Sequence, residues 1–95
     1  MNKYEAMFII KPELTEDERK VLFNQISEPV IKNSGTVTNA AILSERKKLF
    51  FPIKKHHEGV YYVMSFSAAS DVVAKLRHTY SLNENILRVL IIRVE

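Results

Sequence analysis

Histidines and carboxylates are the residues of this 95-residue chain that could bind a metal or transfer protons. His56 and His57 are adjacent and precede Glu58, but neighbouring side chains in an extended segment point apart. A zinc site needs three or four protein ligands, and the remaining histidine, His78, falls in a distant predicted helix. There is no cysteine, so disulfides and thiolate sites are excluded. The two histidines are therefore interpreted as solvated loop residues, and no metal site is predicted.

The motifs of common enzyme classes are missing from the sequence. No serine lies in a Gly-x-Ser-x-Gly nucleophile turn, and Gly35 and Gly59 are too few for a glycine-rich phosphate loop. Small acyl-phosphate hydrolases carry an anion cradle after their first strand, where this chain has a proline and an acid at Pro12 and Glu13. We therefore predict no catalytic residue, no cofactor and no small-molecule substrate.

The segment from residue 46 to 55 is the strongest candidate for binding chemistry, because it combines cations with aromatic residues. It reads Arg46-Lys47-Lys48-Leu49-Phe50-Phe51-Pro52-Ile53-Lys54-Lys55. Phosphate contacts require several cations along one edge, so the segment favours nucleic-acid binding. A charged run can also be a solvated edge that blocks strand pairing, and this alternative stays open. The formal net charge of +3 is compatible with either role.

The acidic residues are concentrated elsewhere in the sequence. Glu13, Glu16, Asp17 and Glu18 lie at the start of the first predicted helix, where the helix dipole favours carboxylates. We therefore expect a molecule with an acidic end and a separate basic end.

Hydrophobic periodicity defines the first half of the chain. Residues 3–11 alternate between apolar and mixed positions, which predicts a strand. Thr15 and Glu18 form a capping box, and Leu22, Ile26 and Val30 form the apolar stripe of a helix. Pro29 is expected to kink or shorten this helix, which the segment 33–35 ends.

The second half repeats the pattern of strands and one helix. Residues 36–53 form one long strand or two, 54–59 a polar turn, and 60–67 a strand rich in aromatic residues. Ser70 is predicted to cap a second helix, and residues 86–94 form the last strand. The order indicates an α+β, ferredoxin-like βαββαβ fold over a single domain, residues 1–95, with a four-stranded antiparallel sheet and two helices on one face.

One face of this sheet is predicted to remain uncovered. Ala6, Phe8 and Ile10 face the helices together with Tyr62, Met64 and Phe66. The opposite face carries Met7, Ile9, Tyr61 and Val63, with Leu90 and Ile92 from the last strand. An apolar face of this size suggests a protein partner, and scattered surface hydrophobes are the alternative. Stacking of RNA bases on this face is not favoured, since residues 58–65 match the RNA-recognition motif poorly.

Four blocks of residues resemble the family of bacterial small-subunit ribosomal protein six over essentially the whole chain. They are Tyr4-Glu5, the block from Lys48 to Lys54, Gly59 before an aromatic strand, and the block from Leu82 to Arg88 before the last strand. The family often has two arginines where this chain has Lys47 and Lys48, so bidentate phosphate contacts would be lost here.

The resemblance implies a non-catalytic, cytoplasmic and ribosome-associated protein. Such a protein binds the central domain of small-subunit ribosomal RNA together with protein eighteen of the same subunit. The resemblance also implies a set of RNA contacts, namely Lys3, Lys47, Lys48, Lys54, Arg88 and Arg93. The basic segment adds Arg46 and Lys55 to this set. No membrane association is expected, because no apolar run approaches the ~18 residues that a spanning helix needs. A ligand-sensing or dimerising module of the same fold is the competing interpretation.

Overall fold

The computed structural model describes residues 1–94, apart from the side chains of Arg46, Phe50 and Phe51. Its elements are β1 (Asn2–Ile10), α1 (Glu16–Lys32), β2 (Thr36–Ile53), β3 (His56–Ala68), α2 (Val72–Ser81) and β4 (Ile86–Arg93). The strands form one antiparallel sheet in the order β2-β3-β1-β4. The predicted ferredoxin-like fold is confirmed.

The core lies between the sheet and the two helices. Ala6, Phe8 and Ile10 of β1 are buried, and they pair with Met64, Tyr62 and Val60 of β3. Facing them are fully buried side chains of both helices, Leu22, Ile26, Val30 and Leu76. These are the faces that the periodicity predicts.

Tyr80 links the two helices inside this core. Its hydroxyl donates a hydrogen bond to the backbone carbonyl of Ile26, and its ring packs edge-on against Phe8. Burial raises the pKa of Tyr80 well above the ordinary tyrosine value, and nearby Tyr62 raises it further. The buried hydroxyl therefore stays protonated and satisfies a carbonyl that would otherwise lack this partner.

The ends of α1 follow from local hydrogen bonding. Thr15 and Glu18 form the predicted reciprocal capping box, and its hydrogen bonds lower the pKa of Glu18. Pro29 does not shorten the helix, which continues to Lys32, while a kink there stays a prediction. After the helix, Ser34 has a φ of 65° and Gly35 N–H donates to the carbonyl of Val30, which is a Schellman arrangement.

The φ of Gly35 is not positive, so its backbone conformation does not require a glycine. Close packing does. A Cβ at this position would lie 2.7 Å from the carbonyl oxygen of Ser67 and 2.7 Å from a methyl of Val30. The glycine therefore lets the end of α1 approach the sheet.

Two local predictions are wrong. The second helix begins at Val72 with Asp71 as its N-cap, so Ser70 does not cap it, and no side chain bonds at that cap. The polar turn predicted over 54–59 is only Lys54 and Lys55, with φ of 48° and 70°, and β3 already begins at His56. Two-residue hairpin turns of this kind usually contain Asn or Gly. Because Lys54 and Lys55 are neither, the sequence does not indicate a hairpin turn at this position.

The early start of β3 lengthens the hairpin beyond the rest of the sheet. β1 ends at Ile10, opposite Val60, whereas β2 and β3 continue to pair as far as the turn. We call the part over residues 47–59 the ribbon. β2 has 18 residues and β3 has 13, so the register shifts at several places along their pairing.

Truncation of a buried residue of α1 should weaken the packing of this helix on the sheet and lower the stability of the protein. Ile26 is fully buried, so Ile26→Ala should lower the free energy of unfolding by about 2–5 kcal/mol. Ile31→Ala is the matched control, because Ile31 lies on the same helix but is 61% exposed. Chemical denaturation measures both, and equal effects of the two substitutions would contradict this description of the core.

Candidate nucleic-acid interface

Most of the predicted RNA-binding residues lie at one end of the sheet. Lys47 and Lys48 pair with Gly59 and Glu58 on the ribbon, and Lys54 and Lys55 form its turn. On β4, Arg88 lies opposite Ile9, near the end of β1 that adjoins the ribbon. These five cations are exposed, and we call them the ribbon cations. The backbone of Arg46 adjoins them, while its side chain lies outside the described atoms.

The other two candidates lie at the opposite end of the sheet. Lys3 pairs with Ser67, and Arg93 lies opposite Tyr4. At the usual rise per residue, β1 separates Lys3 from Ile9 by about 20 Å. Arg93 donates a hydrogen bond of 3.0 Å to the side chain of Asn2. The structure therefore divides the predicted set into two groups and does not join them in one patch.

Two of the ribbon cations are held by specific contacts. The Lys47 ammonium lies 5.2 Å from the centre of the Tyr61 ring, which is within the range of a cation–π interaction. The Lys54 ammonium donates to the backbone carbonyl of Ile86 at 3.3 Å. These contacts restrict the directions in which the two ammonium groups point.

The prediction of separate acidic and basic ends is wrong. Arg19 of α1 forms an ion pair of 2.9 Å with Glu45 of β2, next to the basic segment. His56 Nδ1 lies 3.3 Å from a carboxylate oxygen of Glu13, so the start of α1 adjoins the ribbon. The chain reverses direction between α1 and β2, which brings sequence-distant charges to the same end. Glu16, Asp17 and Glu18 belong to the first turn of α1, whereas Glu45 lies on β2 and Glu58 on the ribbon, among the cations of the hairpin.

The interpretation of His56 as a solvated loop residue also needs correction. Its side chain is 23% exposed, and it lies at the start of β3 beside Glu13. His57 is exposed, as expected. Among the described residues no three side chains of His, Cys, Asp or Glu are grouped to hold a metal ion.

The uncovered face of the sheet is apolar at its centre. Met7 and Val63 are opposite each other and half-buried, and Leu90 and Ile92 of β4 are about half exposed. Their positions agree with the predicted open face. Tyr61 lies at the edge of this region, under Lys47.

Ile9 does not provide an exposed contact, contrary to the prediction. It is only 8% exposed, because its side chain occupies the space above Gly59. A Cβ on Gly59 would lie 2.5 Å from a methyl of Ile9. The missing side chain of Gly59 thus buries Ile9 within the surface of the sheet, a contact that strand alternation alone does not reveal.

Comparison with known proteins gives the class: the chain is similar to proteins of the small ribosomal subunit. It is 37% identical over 95 residues to small ribosomal subunit protein bS6 of Caldanaerobacter subterraneus, covering all of this chain and 99% of that one. It is 39% identical to the protein of the same name from Thermoanaerobacter pseudethanolicus, with the same coverage. The sequence model of the family described as Ribosomal protein S6 matches residues 3–93. The chain belongs to the ribosomal protein S6 family.

Solved structures agree with this assignment. The crystal structure of 30S ribosomal protein S6 from Thermotoga maritima superposes with a TM-score of 0.88 at 28% identity, covering 98% of this chain and 87% of that one. The C-terminal domain of the MgtC protein from Mycobacterium tuberculosis has a TM-score of 0.64 at 10% identity, which is a likeness of fold alone.

Family membership decides several predictions. The chain is a component of the small ribosomal subunit, hence cytoplasmic and ribosome-associated, and it is not an enzyme. Separately, none of the described helices is long and apolar enough to cross a membrane.

We expect the histidines beside the ribbon to contribute little to stability and to bind no zinc. Replacing His56 and His57 together by Ala should cost less than about 1 kcal/mol, because the contact to Glu13 is at the surface. Calorimetric titration of the wild-type protein with Zn²⁺ should give no stoichiometric binding. If the wild type binds zinc and the double variant does not, the prediction that these histidines form no metal site is wrong.

Proposed function

We propose that this chain binds the central domain of small-subunit ribosomal RNA through the ribbon cations, jointly with small-subunit ribosomal protein eighteen. The observation that carries the proposal is the convergence of Lys47, Lys48, Lys54, Lys55 and Arg88 at one end of the sheet. Cations grouped in this way can contact several phosphates of one RNA segment at once.

The charge distribution limits where RNA can bind. The first turn of α1 carries Glu16, Asp17 and Glu18, which repel phosphates, so this end of α1 is unsuited to RNA. Tyr61 helps to position one of the proposed RNA contacts, because its ring lies against the Lys47 ammonium. Lys3 and Arg93 lie at the other end of the sheet. They could contact RNA only through a second RNA segment or through RNA that is bound by the partner.

A protein partner explains how a chain with a net charge of only +3 could bind RNA tightly. The exposed apolar side chains of Leu90 and Ile92, beside Met7 and Val63, offer a surface for it. When two weak RNA sites are joined in one rigid heterodimer, the second engagement becomes intramolecular. This can raise the affinity a hundredfold or more, by roughly 10²–10⁴ in general.

Salt dependence tests the contribution of the ribbon cations. About four phosphate contacts should give a slope of roughly −3 to −4 for log affinity against log salt concentration. Replacing Lys47 and Lys48 by Ala should reduce the slope by up to about two units. Titrations of the heterodimer onto labelled RNA at several salt concentrations measure it.

The matched control replaces Lys20 and Lys75 of the two helices, both exposed, and should leave the slope unchanged. If the Lys47 and Lys48 variant keeps the wild-type slope, these two lysines do not contact the phosphates.

A charge on the open face should prevent recruitment of the partner. Leu90→Asp places a carboxylate on an exposed apolar position (54%), and an interface there would bury it unpaired. We expect binding of protein eighteen to weaken at least about tenfold, or 1.4 kcal/mol, in a titration without RNA. Val21→Asp on α1, 57% exposed, is the control. Ile9→Asp is unsuitable, because Ile9 is buried and its loss would disturb the fold.

Two outcomes would count against the heterodimer. Normal recruitment of protein eighteen by the Leu90→Asp variant would exclude the open face as its site. Tight and specific RNA binding by this chain alone would show that the partner is not needed.

A further inference from the structure

The two adjacent histidines of the ribbon belong to opposite faces of the sheet. Side chains of a strand alternate between the two faces, and Tyr62 and Met64 of β3 are buried on the helix side. The even-numbered His56 therefore belongs to the helix side, where its ring contacts Glu13. The odd-numbered His57 belongs to the open face, and it is exposed. Although the two residues are neighbours in sequence, their rings have different surroundings.

Two of the ribbon cations lie on the same face as His57. Lys47 pairs with Gly59, the next odd-numbered residue of β3, and paired residues of neighbouring strands have their side chains on one face. Arg88 pairs with Ile9, whose side chain lies over Gly59. His57 precedes Gly59 by two residues, which is about 7 Å along a strand. It therefore lies at the same cationic end of the open face as Lys47 and Arg88.

The other described charges around His57 leave this face cationic. Lys55 of the turn precedes His57 by two residues, and Lys11 directly follows β1 at the same end of the sheet. The neighbouring carboxylates belong to the other face. Glu58 is even-numbered, and Glu13 lies against the other histidine. A phosphate bound on the open side at this end would therefore meet His57 among cations.

The charge of a histidine depends on pH in a range where lysine and arginine stay charged. Histidine in general gains a proton between about pH 8 and pH 5 as the pH falls. A protonated imidazole donates from both ring nitrogens, and hydrogen bonds from charged donors to phosphate oxygens are strong. The neutral ring has no charge with which to attract a phosphate. A histidine at a phosphate site therefore contributes its charge only when it is protonated.

We propose that His57 is a further RNA contact of the ribbon, which binds a phosphate in its protonated form on the same face as Lys47 and Arg88. RNA binding at this position is accompanied by the uptake of a proton. His56 makes no such contact, because its ring lies on the other face, 3.3 Å from a carboxylate oxygen of Glu13. The inference rests on the proposed function, since the ribbon must bind RNA, and it adds a residue whose contribution depends on pH.

The salt dependence of RNA binding at two pH values tests the proposal. The heterodimer is titrated onto labelled central-domain RNA at several salt concentrations, at about pH 5.5 and about pH 8. Each phosphate contact contributes about 0.7–0.9 to the slope of log affinity against log salt concentration. The wild-type slope should therefore be steeper by about this amount at the lower pH, with affinity at least about threefold higher at low salt.

Comparison with His57→Gln isolates the contribution of this one ring. The variant should lack the additional slope at the lower pH, so that its affinity there falls at least about threefold below that of the wild type. Titration of groups on the RNA or on protein eighteen is common to both proteins and cancels in the comparison. His57→Lys has a permanent charge, so it should keep the steeper slope at both pH values.

The other two histidines of the chain provide controls. His56→Gln should keep the wild-type response to pH, because the partner of His56 is a carboxylate of the protein itself. His78→Gln on α2 changes an exposed histidine away from the ribbon and should also keep it. Circular dichroism confirms that each variant is folded at both pH values.

The outcomes separate this inference from the proposed function. If the slope still depends on Lys47 and Lys48 but the wild type and His57→Gln respond identically to pH, the contact of His57 is overturned while the proposed function stands. If the heterodimer does not bind the RNA, both are overturned. An equal loss of affinity at both pH values in His57→Gln would identify a contact of the neutral ring, which also overturns the proposal. So would a loss of the pH response in His56→Gln but not in His57→Gln.

Discussion

The pairing of β1 with β3 is the constraint on which the rest of the structure depends. Ala6, Phe8 and Ile10 must face the same side as their neighbours on β3, since a shift of one residue would expose the whole set. The right-handed connections through α1 and α2 place both helices over this apolar face. The register also decides that Met7 and Val63 remain on the other face, where no helix covers them.

The ribbon follows from the same pairing. β1 ends at Ile10, and β3 is longer than β1, so its first residues can pair only with β2. The cations of that hairpin therefore lie beyond the apolar part of the sheet. As a result the open side has an apolar centre and a cationic end, and we propose that protein and RNA are bound at these two regions.

The order and type of elements could be predicted from sequence because each has a local cause. Thr15 and Glu18 mark the start of α1, and the alternation in β1 identifies its buried face without any tertiary information. The candidate site was harder to predict from the sequence. The open face was predicted correctly, but not the burial of Ile9, which depends on Gly59 of a different strand.

Errors arose where long-range geometry decides the result. The ion pair of Arg19 with Glu45 could not be predicted, because bulges in β2 shift the register between that residue and its neighbours. The same bulges hide the contact of Lys47 with Tyr61. The two-residue turn at Lys54 and Lys55 lacks the Asn or Gly that normally signals one.

The central claim is that the cationic end of the sheet, and not the helix layer, faces RNA in the small subunit. Lysine footprinting by acetylation and mass spectrometry tests it directly, on the free chain and on intact subunits. The account predicts that Lys47, Lys48 and Lys55 become protected in the subunit, while Lys20, Lys32 and Lys75 of the two helices stay reactive. All six side chains are exposed in the free chain. Protection of the helix lysines with continued reactivity of the ribbon lysines would contradict it.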